Sequence, residues 1–215
     1  MTHYRDRIKR TSLLCTAFAF ILLFTVSPVA GTDPYNVSVP LEDGWNILST
    51  PVTLQSGKDT LPAIFEGNPQ SGITIILGWN GNFWFIPEQD FRLIPLNAIF
   101  VKTSGGADAL LIPSQQVSSP PARMLQPGLN LIGPAPAFNA GQFPAQGVED
   151  ALITIEEVPG GLPGYSMVIS PGIGQPGWVY ATGMASRDLL PFKGYWVVME
   201  NSGTLAGFST TPLPA

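Results

Sequence analysis

Short apolar runs broken by glycine and proline set the rhythm of this chain. Asn46-Ile47-Leu48-Ser49 and Asn130-Leu131-Ile132 are brief β-prone runs that end near a proline. Residues 72–79 hold Ile73-Thr74-Ile75-Ile76-Leu77, a nearly continuous apolar run of the kind a buried strand shows. Asn80-Gly81 follows, then Asn82-Phe83-Trp84-Phe85-Ile86. Two β-prone runs flanking Asn-Gly predict a hairpin. Residues 98–102 and 109–112 predict a further strand pair across Ser104-Gly105-Gly106. Later in the chain, residues 165–170, 178–181, 194–200 and 204–208 play the same parts, with Asn201-Ser202-Gly203 as the last turn. Two segments break the β rhythm. Residues 59–66 offer a cap-type residue with Pro62 just inside a helix start. Residues 148–155 carry Glu149 and Asp150 in a first helical turn, which suits the helix dipole, although the β-branched residues after Leu152 also allow a strand.

The pattern occurs twice. Gly44-Trp45-Asn46-Ile47-Leu48 returns as Gly128-Leu129-Asn130-Leu131-Ile132. Ile94-Pro95-Leu96-Asn97-Ala98-Ile99-Phe100-Val101 returns as Leu190-Pro191-Phe192-Lys193-Gly194-Tyr195-Trp196-Val197. Between them, Phe83-Trp84-Phe85 lines up with Gly177-Trp178-Val179. The expected fold is all-β with minor short helices, in two tandem related sandwich-like or barrel-like modules packed with a pseudo-two-fold relation. The expected division is a signal peptide over 1–30, an N-terminal segment over 31–40, and a first module over 41–118. A linker over 119–123, a second module over 124–209 and a tail over 210–215 complete it.

The signal-peptide expectation rests on three features. Arg5, Arg7, Lys9 and Arg10 make a basic start, about fourteen apolar residues follow over 13–26, and small residues end the segment at Ala30-Gly31. The apolar run is shorter than the ~20 residues of a spanning helix. Cleavage there predicts a secreted, extracellular or cell-surface protein, with no membrane span afterwards.

Removal of that segment changes the available chemistry. The only histidine, His3, and the only cysteine, Cys15, leave with it. The ten basic and fifteen acidic residues become six and fourteen, so the net charge falls from −5 to −8. Without histidine, a Ser-His triad has no base, and Cys/His zinc sites have no ligands. An acidic chain is a poor partner for phosphate backbones, so nucleic acid is not an expected ligand. Gly172-Ile173-Gly174 lacks the strand-turn-helix setting of a nucleotide loop and reads as a turn. No regular Asp-x-Asp-x-Asp calcium loop occurs, and no cofactor is expected.

The Gly-Trp-Asn opening at 44–46, the aromatic hairpin between Trp79 and Trp84, and Ala98 to Val101 stand in the first copy. Gly128, Asn130, residues 148–152, Trp178 and Gly194-Tyr195-Trp196-Val197 stand in the second. Together they resemble a β-module of secreted and envelope-associated bacterial and archaeal proteins. The resemblance covers most of residues 41–208. It implies an extracellular location and a repeated β-architecture, and it implies no reaction. The first copy departs from the pattern with Asn97-Ala98-Ile99-Phe100 in place of a Gly-Tyr-Trp ending, and the second with Leu129 in place of the opening tryptophan.

Two chemistries survive. Glycoside hydrolysis needs only two placed carboxyl groups. Glu42, Asp43, Asp59, Glu66, Glu88, Asp90, Glu149, Asp150, Glu156 and Glu157 are the candidates, most of them at caps and turns. Exposed aromatic faces can also stack on sugar rings, which makes Trp79, Trp84, Trp178 and Tyr180 the candidate ligand-binding residues. The same rings can instead fill cores or a contact between the copies. Asn36-Val37-Ser38 is an N-glycosylation sequon, with Asn36 as the acceptor. The first expectation for function is a non-catalytic secreted or envelope protein with a structural or adhesive role. Its expected partners are an extracellular glycan, other envelope proteins or further copies of itself. The alternatives are a carbohydrate-binding module and a carboxylate-dependent glycosidase.

Overall fold

The first strand, β1 (Val37–Leu41), runs almost directly into the second, β2 (Gly44–Ser49), yet the two lie in different sheets. Gly44 turns the corner at φ +93°, a conformation that strains any residue with a Cβ. The buried side chain of Asn46 then closes it. Its Nδ2 donates to the carbonyls of Glu42 (2.8 Å) and Gly44 (3.2 Å), and its Oδ1 accepts from the Glu42 N–H (2.9 Å). Backbone groups that the corner removes from the ladder thus keep partners.

A computed structural model of the chain describes residues 36–66, 72–116, 119–137 and 142–208. The expected signal peptide and tail lie outside the described residues. All described residues belong to one compact unit, residues 33–215.

The first half continues with α1 (Leu61–Ile64), β3 (Ile73–Trp79), β4 (Trp84–Phe85), β5 (Ala98–Thr103) and β6 (Ala107–Leu111). Its main sheet is antiparallel, in the order β2-β5-β3-β4, with β2 and β4 as its edge strands. A second, two-stranded sheet pairs β1 with β6. The chain therefore crosses between layers at residues 104–106. The expected hairpin of residues 98–102 with 109–112 does not form, because β5 is already paired on both sides, by β2 and β3. Val39, Leu41, Ala109 and Leu111 of the small sheet meet Leu48, Ile99 and Val101 of the large one, with Leu61 and Ile64 of α1 closing the end. Residues 37–40, assigned by sequence to an N-terminal segment, belong to β1 and pair with β6.

The second half has β7 (Ala122–Leu125), β8 (Gly128–Ile132), β9 (Gln146–Gly147), α2 (Val148–Leu152), β10 (Glu157–Val158) and β11 (Leu162–Pro163). It ends with β12 (Tyr165–Pro171), β13 (Gly177–Ala181), β14 (Asp188–Leu189), β15 (Tyr195–Met199) and β16 (Gly203–Ala206). Its main sheet reads β8-β15-β12-β13, and β7 pairs with β16 in a small second sheet. Again the expected neighbours across 201–203 separate, β15 into one layer and β16 into the other. Gly128 turns its corner at φ +96°. Asn130 donates to the carbonyls of Gln126 (2.7 Å) and Gly128 (3.1 Å). The ladders of β3 and β12 with their central neighbours each carry one irregularity, between Ile73 and Ile75 and between Tyr165 and Met167. The fold is thus all-β with short helices and several antiparallel sheets.

Residues 148–152 are helical, and residues 153–155 tighten into a 3-10 turn, where Ile153, Thr154 and Ile155 crowd the preceding turn. The Asn-Gly hairpin is present but looser than expected. Trp79 stands opposite Trp84, so residues 80–83 all form the loop. Asn80 Oδ1 accepts from the N–H groups of Asn82 and Phe83, both at 3.0 Å, and this holds the wider turn.

Candidate functional site

Side chains alternate across a strand, so each main sheet has a core face and an outer face. In the first half the outer face carries Trp45 and Ile47 from β2, Ala98 and Phe100 from β5, Leu77 and Trp79 from β3, and Trp84 from β4. The second half packs on this face. Ile47, Ala98, Phe100 and Leu131 form a buried cluster, joined by the half-buried Leu77, Trp79, Ile173 and Trp196.

The rings meet edge to face, which is favourable for quadrupoles of this kind. Trp84 lies 5.1 Å from Phe100, 5.3 Å from Trp79 and 5.7 Å from Trp196 between centroids. Trp79 lies 5.6 Å from Trp196. Polar ties accompany them. Trp79 Nε1 donates to the Leu129 carbonyl (2.9 Å), Ser49 Oγ to the Lys193 carbonyl (2.6 Å), and the Ser49 N–H to the Phe192 carbonyl (3.0 Å). The Arg123 guanidinium donates to the carbonyls of Leu96 (2.8 Å) and Leu131 (2.7 Å), and burial lowers its pKa to about 10. Its charge is kept at neutral pH.

Two glycines permit the close approach. A Cβ at Gly133 would overlap Ser49 Cβ, and one at Gly194 would overlap Ile47 Cγ2. At the rim the junction stays open. Trp45 is 37% and Trp84 45% exposed, and Lys102 Nζ sits 5.7 Å over the Trp45 ring.

Of the four residues singled out from sequence, the junction takes Trp79 and Trp84 and leaves out Trp178 and Tyr180. Trp178 stands opposite Ser170 and Tyr180 opposite Val168, on the core face of the second sheet. Tyr180 is 1% exposed and donates its hydroxyl hydrogen to Glu149 Oε1 (2.8 Å). Burial, with that carboxylate beside it, raises its pKa. The ladders place Trp84 and Trp178 on different faces of their sheets. Trp84 faces Trp79 in one hairpin, whereas Gly177 faces Pro171 in the other. The slip of one residue turns Trp178 to the opposite face.

Trp178 stacks on Tyr195 at 5.6 Å and 26°. Beside them opens a pocket of about 260 Å³, lined also by Gln175, Ser186, Arg187 and Asp188. Gln175 Nε2 donates to the Gly194 carbonyl (2.9 Å), while its Oε1 is buried without a hydrogen-bond partner. The Tyr195 hydroxyl accepts from the Leu190 N–H (2.6 Å), and burial pushes its pKa up to about 12. Sequence reading did not single out Gln175, Ser186, Arg187, Asp188 or Tyr195 as one site, because they converge from three separate segments.

Several candidate acids have structural partners. Asp59 Oδ1 accepts from the Gly57 N–H (3.2 Å) and its Oδ2 lies 3.5 Å from Arg92, Glu66 pairs with Lys58 at 3.0 Å, and Asp43 accepts from the Gly105 N–H at 2.9 Å. Among the described residues, no group of three or more His, Cys, Asp or Glu is placed to hold a metal, and no helix is long and apolar enough to cross a membrane. Asn36 is exposed, immediately before β1. No protein-family model, curated protein or solved structure matches the chain.

Proposed function

We propose that this chain is a non-catalytic protein of the cell exterior, built from two tandem related modules packed about a pseudo-two-fold axis, with a structural or adhesive role. The observation that carries the reading is the way the junction pairs like with like. Ser49 is separated from Gly133, and Gly44 from Gly128, by the same interval, and Ser49 packs on Gly133. Ala98 opens β5, Gly194 immediately precedes β15, and the two lie in contact, while Phe100 meets Trp196 with ring centroids 6.0 Å apart. Contacts between equivalent positions are what a two-fold relation produces. The common strand order, the shared ladder irregularity and the Gly-x-Asn corners support the same origin.

The consequence for function follows from where the rings go. Trp79, Trp84, Phe100 and Trp196 hold the two halves together, so a flat aromatic platform is not what they build. A rigid two-module body suits a structural element. The basic, apolar and small-residue start and the resemblance to envelope β-modules support an exterior location. Other envelope proteins, an extracellular glycan or further copies are the partners in this reading. The open edge at β13 offers one place for strand addition.

The test is to express the full chain in a secreting bacterial host, beside a variant lacking residues 2–30. Protease treatment of intact cells should digest the first protein and spare the second. Protection of both would overturn the exterior location. Recovery of the exported chain in sedimentable envelope assemblies supports the structural role. Turnover of a glycan by the exported protein, lost on carboxylate substitution, would replace it with the hydrolase alternative.

A further inference from the structure

We infer that the pocket beside Trp178 is a binding subsite for one neutral sugar ring. The inference goes beyond the structural reading and does not depend on it. The pocket, about 260 Å³, lies just below the ~300 Å³ lower range of ligand sites and has room for a single hexose-sized ring. One wall is an aromatic surface, the indole of Trp178 backed by Tyr195 at 26°. Stacking behind Trp178 fixes its orientation, so a ligand meets a ring that is already held.

The other walls supply hydrogen-bonding groups of complementary kinds. Asp188 offers acceptors, Arg187 donors and Ser186 a hydroxyl that does both. Gln175 lines the pocket as well, with its amide held by the Gly194 carbonyl. Among the described residues of the wall, Arg187 and Asp188 are the charged ones, and their charges cancel. A phosphate or a free carboxylate would gain one of them and be repelled by the other. A polyhydroxylated neutral ring can donate to Asp188 and accept from Arg187 at once.

The position has mechanical support. The loop between β12 and β13 places Ile173 in the junction and Gln175 in the pocket. Asp188 is anchored through β14, which pairs with β9 through Asp188 opposite Gly147. The pocket therefore rests on strands and on the junction, so its groups are held in place before any ligand arrives.

The experiment is a titration of the full exported chain with methyl glycosides of neutral hexoses and of N-acetylhexosamine. Amide and indole signals are followed by two-dimensional NMR. The expected result is saturable binding in the millimolar range, with shifts at the Trp178 indole, identified by its absence in Trp178→Phe. Asp188→Asn and Arg187→Gln alter exposed side chains and should leave the fold intact, and each should weaken binding about tenfold. Absence of binding by every glycoside overturns the inference. So does binding that neither substitution weakens, since the sugar then sits elsewhere. A tighter response to glycine or inorganic phosphate than to any glycoside overturns the ligand class.

Discussion

Leu96 and Phe192 each enter the other half's core. Leu96, which precedes β5 of the first half, is buried in the cluster built around Val168, Tyr195 and Val197 of the second. Phe192, which precedes β15 of the second half, packs against the cluster built around Leu48, Ile99 and Val101 of the first. Both adopt a left-handed backbone, at φ +65° and +63°, and they are the two non-glycine residues of the described chain that do so. Such a conformation costs about 1–3 kcal/mol and persists only where the surroundings hold it. Here the reciprocal insertion does so, and neither core is complete without the opposite half.

Truncation of these plugs is the first prediction. Leu96→Ala should destabilise the protein by about 2–5 kcal/mol through lost burial and a cavity. Phe192→Ala, at a half-buried site, should cost roughly half as much. Urea titration should show one transition for both halves, with a lowered midpoint in each variant. Two separated transitions would contradict mutual completion of the cores.

Close approach at the junction leads to the second. Gly133→Ala and Gly194→Ala force a methyl group into Ser49 and Ile47, respectively, and should each cost about 1–3 kcal/mol. Adding Ser49→Gly to Gly133→Ala removes the clashing Cβ and should restore part of the loss. A double-mutant cycle on thermal stability reads this coupling. Strict additivity would show that the two residues do not touch.

The corner clamps are a third target. Asn46→Ala and Asn130→Ala each leave corner backbone groups without partners, at a cost of about 1–3 kcal/mol. Similar losses are expected at the two positions because the bonds are the same. Chemical denaturation of the single variants measures both.

Alkaline pH should unfold the protein through its buried tyrosines. Burial raises the pKa of Tyr195 to about 12 and also raises those of Tyr165 and Tyr180. The unfolded chain loses these phenolic protons first, near the reference value of ~10. Their contribution is therefore complete below about pH 10 and lost as pH rises through the folded values. A thermal midpoint followed from pH 8 to 12 should fall above about 10, and less steeply in Tyr180→Phe. A flat profile would contradict the burial of the hydroxyls.

Local pattern made much of this architecture legible. The apolar run at 73–77, the Asn80-Gly81 turn, the two Gly-x-Asn corners and the segments 94–101 and 190–197 each mark a real element, because strand, turn and corner chemistry act over a few residues. The hairpin itself was legible, but the facing of Trp79 and Trp84 follows from its pairing register, with four residues in the loop. What β5 and β6 pair with was not. Adjacent strands in the chain went to different sheets because the central place between β2 and β3 was already the better site for β5. Nor did local pattern separate Trp84 from Trp178. Facing depends on register, and register is set by partners distant in the chain. The amino-acid sequence by itself determined which residues are apolar, where the chain can turn, and which chemistries lack their side chains. Only the tertiary structure decided that the aromatics join two halves, that Leu96 and Phe192 exchange cores, and that Gln175, Trp178 and Asp188 share a pocket. Those outcomes depend on long-range burial, which no window of neighbouring residues contains.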